Sequence, residues 1–337
     1  MNESRTRQIP WIDWSIKGVL GAIIVALVFL AYTMITTTAR DRQNTPAARA
    51  VANLLEVVEE NPDDPIARLR LADALAAAGR LREAGEQYQT VLQLRPDDPQ
   101  ALAGLALLAM DQSEWRTAEG YWRTLVKQLQ TSEFAALDQR LEKAYYYLGS
   151  TLMEVKEYEE AAVYLREALR IRRDASDTYF LLAIAHRELG SDLKYRENIG
   201  FALTFDPLLP EGNFELGKIK LADGDEAGAA EAFRISAENA PPERTEPLDE
   251  LAKFGTAEER LATSAELQAS DPAAALVHAR IAAAIEPRNI DAARAVARLY
   301  EKQQQPEAAR AAWERVLTLS PKDTEAETAL GRLRDAS

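Results

Sequence analysis

The sequence predicts an all-α chain of stacked helical hairpins, and three observations predict it. A unit that reads as two amphipathic helices, best formed from Leu141 to Arg173, recurs along most of the chain. Prolines keep its metre: Pro62 to Pro96, Pro207 to Pro241 and Pro287 to Pro321 each span 34 residues. Hydrophobic content of 47% comes largely from Ala and Leu, with few β-branched runs and no alternating strand segments.

Composition also excludes several functions. A net charge of -14 argues against nucleic acid, because a duplex-binding surface needs clustered Lys and Arg to neutralise phosphates. The absence of cysteine removes disulfides, thiolate zinc sites and Cys nucleophiles. His186 and His278 stand 92 residues apart in helical patterns, so both read as structural and no metal site is expected. With no Gly-rich phosphate loop, HExxH or GxSxG elbow, the sequence predicts neither enzymatic activity nor a cofactor.

Residues 1–17 form a polar tail with Arg5, Arg7 and Lys17, and with Trp11 and Trp14 suited to a membrane interface. From Gly18 to Ile35 no charge occurs, and 18–38 is long enough to cross a hydrocarbon core of roughly 30 Å. A cleaved signal peptide would carry a shorter apolar region, of about 7 to 15 residues, so the segment reads as a retained signal-anchor. Basic residues flank both sides equally, and the short leading tail places the large C-terminal part on the outer, periplasmic or extracytoplasmic, side. Gly18, Ala22 and Ala26 make a small-residue stripe that predicts a weak homodimer through the span.

A linker, 39–46, leads to a lone helix at 47–60 with Ala50, Leu54 and Val57 on its apolar face. The proline period then sets seven units of 34 residues: 65–98, 99–132, 142–175, 176–209, 210–243, 256–289 and 290–323. Insertions at 133–141 and 244–255 separate them, and a half-unit at 324–334 closes the array, as terminal repeats must. Asp64-Pro65, Asp98-Pro99 and Asp271-Pro272 each offer an acidic N-cap before a proline at the first helical position. Gly79, Gly190 and Gly224 stand where first helices should stop. Ala84, Ala118, Ala161 and Ala229 recur where paired helices would cross most closely.

Within the best unit, Tyr145, Leu148, Gly149 and Leu152 are followed by Ala161, Leu165 and Ala168. Leu216, Gly217, Ala229, Phe233 and Pro241 repeat the order, as do Tyr300, Ala309, Trp313 and Pro321. The fourth unit departs from it with bulky Tyr195 in the small-residue place, and the first helix of the sixth, through Glu259, Ala262, Thr263 and Glu266, barely conforms. The pattern resembles the tetratricopeptide repeat over about residues 47–334. The resemblance implies a right-handed α-solenoid whose first helices line a concave groove that binds an extended peptide or a partner's helix. The family's carboxylate-clamp mode is not expected, because the corresponding places hold Leu69, Asp73 and Gly104.

Periodicity indicates which face to inspect. Stepping by 34 from Tyr146 reaches Phe180 and then Phe214, with Met153, Ile184 and Leu221 nearby. These six predict an apolar floor for a protein or extended peptide, and equally fit packing between repeats. The whole reads as a membrane-anchored scaffold for protein binding. A holder of unfolded clients in envelope assembly, such as c-type cytochrome maturation, and a regulatory subunit of a membrane enzyme share this architecture.

Overall fold

A computed structural model describes residues 45–335. The predicted membrane span at 18–38, with Gly18, Ala22 and Ala26, lies outside them. Among the described residues no helix is long and apolar enough to cross a membrane. These residues form α-helices, one short 3-10 turn and no strand, as the hydrophobic periodicity requires. They fall into two compact units that divide between Gln128 and Leu129.

The first unit holds α1 (Pro46–Glu60), α2 (Pro65–Ala77), α3 (Leu81–Leu94), α4 (Pro99–Asp111) and all but the last residue of α5 (Trp115–Leu129). The Asp-Pro signals act as read: Asp64 accepts from the Ile66 N–H, and Asp98 from those of Gln100 and Ala101, while the prolines open α2 and α4. Leu71, Leu75, Ala84, Tyr88, Val91 and Leu105 form the core between consecutive hairpins. Each large side chain enclosed there contributes about 1.5 to 3 kcal/mol. The clamp positions are taken up in this packing. Leu69 is buried, the Tyr88 hydroxyl donates to Asp73 at 2.5 Å, and a side chain at Gly104 would collide with the Tyr88 ring.

The second unit continues the hairpins through α6 (Gln139–Glu154), α7 (Tyr158–Ile171), α8 (Ser176–Glu188), α9 (Asp192–Phe205), α10 (Pro210–Ala222) and α11 (Glu226–Asn239). A short α12 (Glu246–Ala252) precedes α13 (Ala257–Leu267), α14 (Pro272–Ile285), α15 (Ile290–Lys302), α16 (Pro306–Leu319) and α17 (Thr324–Asp335). The residues around α12 are part of the core, since Leu251 and Phe254 pack with Phe233, Ala229 and Ile281. The weakly patterned first helix of the sixth unit forms because Thr256 and Glu259 make a reciprocal capping box, with backbone bonds of 3.2 and 2.9 Å. Ser264 anchors it by donating to the Ala275 carbonyl at 2.8 Å.

One backbone device recurs in both units. Gly79, Gly190 and Gly224 end their helices with φ of +74°, +70° and +76°, and Ser113, Lys156 and Gln304 adopt φ of 58°, 64° and 57°. All six hold the same place in their hairpins, so the turn demands a left-handed residue whether or not glycine supplies it. Ala84, Ala118, Ala161 and Ala229 are fully buried, as a close helix crossing requires. Tyr195 fills the equivalent place by packing with Ala183, Ile199 and Ile219, and its hydroxyl donates to Glu215 at 2.6 Å.

Candidate functional site

The first helices α6, α8 and α10 follow one another in the second unit and carry the six predicted groove residues. Each helix buries one face against its own partner. On α6, Tyr145, Leu148, Gly149 and Leu152 point inward, and a Cβ on Gly149 would come within 2.7 Å of the Leu165 side chain. On α10 the corresponding Gly217 admits the Phe233 ring, which a Cβ would approach to 2.5 Å. This close approach turns the next face, about 100° round the helix, toward the neighbouring repeat and solvent.

The three stepped aromatics occupy that second face, and all are half-buried. Tyr146 and Met153 pack onto Ala162, Leu165, Leu182 and Ala185, so Tyr146 reaches from its own hairpin to the next. Burial, aided by the Asp177 carboxylate, pushes the Tyr146 hydroxyl up to about 12. Phe180 lies against Ala183, Tyr195, Ile199 and Ile219. Phe214 lies 5.7 Å from Phe233, with the Lys218 ammonium 5.1 Å and the Arg244 guanidinium 5.5 Å from its ring centroid. Ile184 is half-buried, and Leu221 is 39% exposed at the end of α10. The aromatics therefore couple neighbouring repeats while leaving part of each side chain at the surface.

Two buried carboxylates border this face, and the sequence reading missed both. Glu215 on α10 accepts from Lys218 at 2.6 Å, Tyr195 at 2.6 Å and Arg187 of α8 at 3.0 Å. Burial alone would raise its pKa, but these donors together hold it below the usual glutamate value. Burial and Glu215 push the Tyr195 hydroxyl up in turn. Glu142 on α6 meets Arg172 at 3.1 Å, and Arg172 also lies 3.4 Å from Asp177. Burial dominates there and raises the Glu142 pKa despite the arginine. Arg244 reaches back to Glu211 at 2.7 Å, which ties the 244–255 segment to the rim beside Phe214.

His186 is buried on α8 with its Nδ1 unpartnered, and burial, then Lys194 and Arg166, lower its pKa. His278 Nδ1 lies 3.2 Å from Arg260, and burial lowers its pKa too. Among the described residues no three His, Asp or Glu side chains are grouped to hold a metal. The arrangement offers shallow apolar contact ringed by fixed charges, which suits binding.

Residues 43–108, 142–174 and 290–333 each match a model of the tetratricopeptide repeat. A human relative, the cell division cycle protein 16 homolog, is 24% identical over 104 residues, which are 31% of this chain and only 17% of that protein's length. Among solved structures, YrrB, described as a TPR protein with an unusual peptide-binding site, is 17% identical over 57% of this chain and 95% of its own, with a TM-score of 0.46. PilF of Pseudomonas aeruginosa is 14% identical over 81% of this chain and 97% of its own, also at 0.46. The three matched segments, each made of helical hairpins, show that those parts of the chain are tetratricopeptide repeats.

Proposed function

We propose that this chain is a membrane-anchored scaffold that holds an extended segment of a partner protein along α6, α8 and α10. The observation that carries the reading is the row formed by Tyr146, Phe180 and Phe214, half-buried at equivalent places on successive first helices. A row of apolar contacts at regular spacing suits an extended chain that offers apolar side chains in succession. Lys218 and Arg244, each paired with a glutamate of α10, lie over the Phe214 ring and hold it in place at that end of the row. Met153, Ile184 and Leu221 extend the contact, and methionine adapts to varied ligands.

Binding to an array of extended peptides tests the groove. Leu221→Glu alters an exposed position, so it should leave the melting temperature within about 1 °C while weakening capture of apolar peptides. Unchanged capture in both Leu221→Glu and Met153→Lys would refute the groove and leave these side chains as packing alone.

The anchor rests on the uncharged run from Gly18 to Ile35, and the short basic tail before it supports an outer position for the repeats. Because the chain has no cysteine, Leu137→Cys gives a single thiol at a position that is 80% exposed. Labelling by an impermeant reagent in intact spheroplasts is expected. Protection until lysis would reverse the orientation.

A further inference from the structure

We propose that the hairpin of α8 and α9 is a pH-sensitive latch built on His186, packed while the imidazole is neutral and loosened when mild acid charges it. The loosening stands on the packing of His186 alone, whereas its effect on a bound segment rests on the groove reading above. In the 34-residue register His186 stands where Leu75 and Leu152 stand in the first and third units. Those leucines are 2% and 0% exposed, and His186 is 7% exposed in the same place. The ring thus fills a core position that elsewhere takes a hydrocarbon side chain. Its neighbours Leu182 and Ala185 pack on Ala162 and Leu165 of α7, and the Ser191 N–H donates to the His186 carbonyl at 2.8 Å to close the turn into α9.

The imidazole is poorly provided for as a cation. Asn198 on α9 donates to the Lys194 carbonyl at 2.7 Å and Tyr195 to Glu215, but His186 Nδ1 is buried with no hydrogen-bond partner. A charged ring must donate from both nitrogens, and the Nδ1 proton would have no acceptor. The charged groups that face the ring are Arg166 of α7 and Lys194 and Glu197 of α9, two cations against one carboxylate. Arg187, next on α8, and Glu215 of α10 are taken up with each other. Protonation therefore puts a third positive charge, unpaired, into apolar packing. Burial, then Lys194 and Arg166, lower the pKa of His186 accordingly.

The sign follows. Below about pH 6.5 the unfolded segment takes up a proton that the packed hairpin resists. Stability from this group is complete above that value and is lost as pH falls toward the folded-state pKa, with opening of the hairpin favoured up to about tenfold more for each pH unit. Phe180 and Ile184 ride on α8, so the middle of the aromatic row loosens with it.

Hydrogen exchange on the full chain in detergent micelles, expressed as protection factors from pH 7.5 to 5.5, tests the latch. Protection of α8 and α9 should fall below pH 6.5 by up to about tenfold per unit, while α2 and α3 keep theirs. His186→Leu, which restores the residue of the first and third units, should hold α8 and α9 flat over that range. Equal pH dependence in the parent and the variant would overturn the latch, as would a parent that shows none. The unaltered chain gives a second reading that does not depend on the variant's folding. With only two histidines present, the His186 ring proton can be followed by nuclear magnetic resonance, and titration at or above pH 6.5 would also overturn the latch. An apolar peptide held at pH 7 should bind several-fold more weakly at pH 5.5, and His186→Leu should lose most of that difference. A hairpin that loosens as stated in a chain that captures no peptide at either pH would support the latch and fail the groove.

Discussion

Arg187 on α8 and Glu215 on α10 stand 28 residues apart in sequence and 3.0 Å apart in space, and Tyr195 from the helix between them closes on the same carboxylate. The contact spans two consecutive repeats through three helices. It replaces the usual small residue at the fourth helix crossing with a buried hydrogen-bonded tyrosine. Tyr195→Phe should therefore cost about 1 kcal/mol and Glu215→Gln about 2 kcal/mol in chemical denaturation, the second being larger because Arg187 and Lys218 also lose their partner.

The same carboxylate sets a pH dependence. Its pKa is held below the ordinary glutamate value, so its contribution is complete above that value and lost as pH falls through the folded-state pKa. The destabilisation by Glu215→Gln should be present at pH 7 and shrink on acidification below about pH 4. Denaturation midpoints of the two proteins across pH 3 to 7 check it; a gap that stays constant contradicts the assignment.

Glu142 should behave with the opposite sign. Burial raises its pKa, so the folded state takes up the proton more readily, and stability from this group is lost as pH rises through the folded-state value. Glu142→Gln should thus become more favourable relative to the parent as pH increases from about 4 to 7. A parallel pair of curves would show that Arg172 fully offsets the burial.

Left-handed turn residues give a prediction about the backbone. Lys156→Gly and Gln304→Gly relieve a side chain held at positive φ, and each should stabilise the protein by about 0.5 to 1 kcal/mol. Gly190→Ala, at φ +70°, should cost a similar amount. Thermal melts of the three variants suffice.

Helical glycines should separate by what surrounds them. Gly217→Ala would drive a methyl to 2.5 Å from the Phe233 ring, and overpacking there should cost about 1 to 3 kcal/mol. Gly120→Ala meets nothing within 4 Å and should raise stability by about 0.5 to 1 kcal/mol. If both substitutions shift the melting temperature alike, the close approach of α10 and α11 is not what the glycine serves.

Much of the fold was legible because its determinants are local. Asp64, Asp98 and Asp271 cap helices with their own neighbouring amides, and Pro65, Pro99 and Pro272 open them, so residue type and order suffice. The Thr256 to Glu259 capping box was equally readable but hidden by a first helix that does not follow the repeat pattern. Lys156, Ser113 and Gln304 carry no turn signal in their residue type, although their position in the period marks them. For the site, the equivalence of Tyr146, Phe180 and Phe214 followed from spacing, whereas their division between repeat packing and surface did not.

By itself, then, the sequence determined an all-helical chain with hairpins capped at stated residues and three equivalent aromatics on successive first helices. Only the tertiary structure decided that Arg187, Tyr195 and Glu215 share one buried site, and that Arg244 folds back to Glu211 and Phe214. The reason is physical: caps and periodicity act within a few residues along one helix, while the pairing of charges about thirty residues apart depends on how far each hairpin is rotated and shifted against the next. Side-chain volumes across a packed interface set that rotation, and a repeating pattern records only which positions are alike.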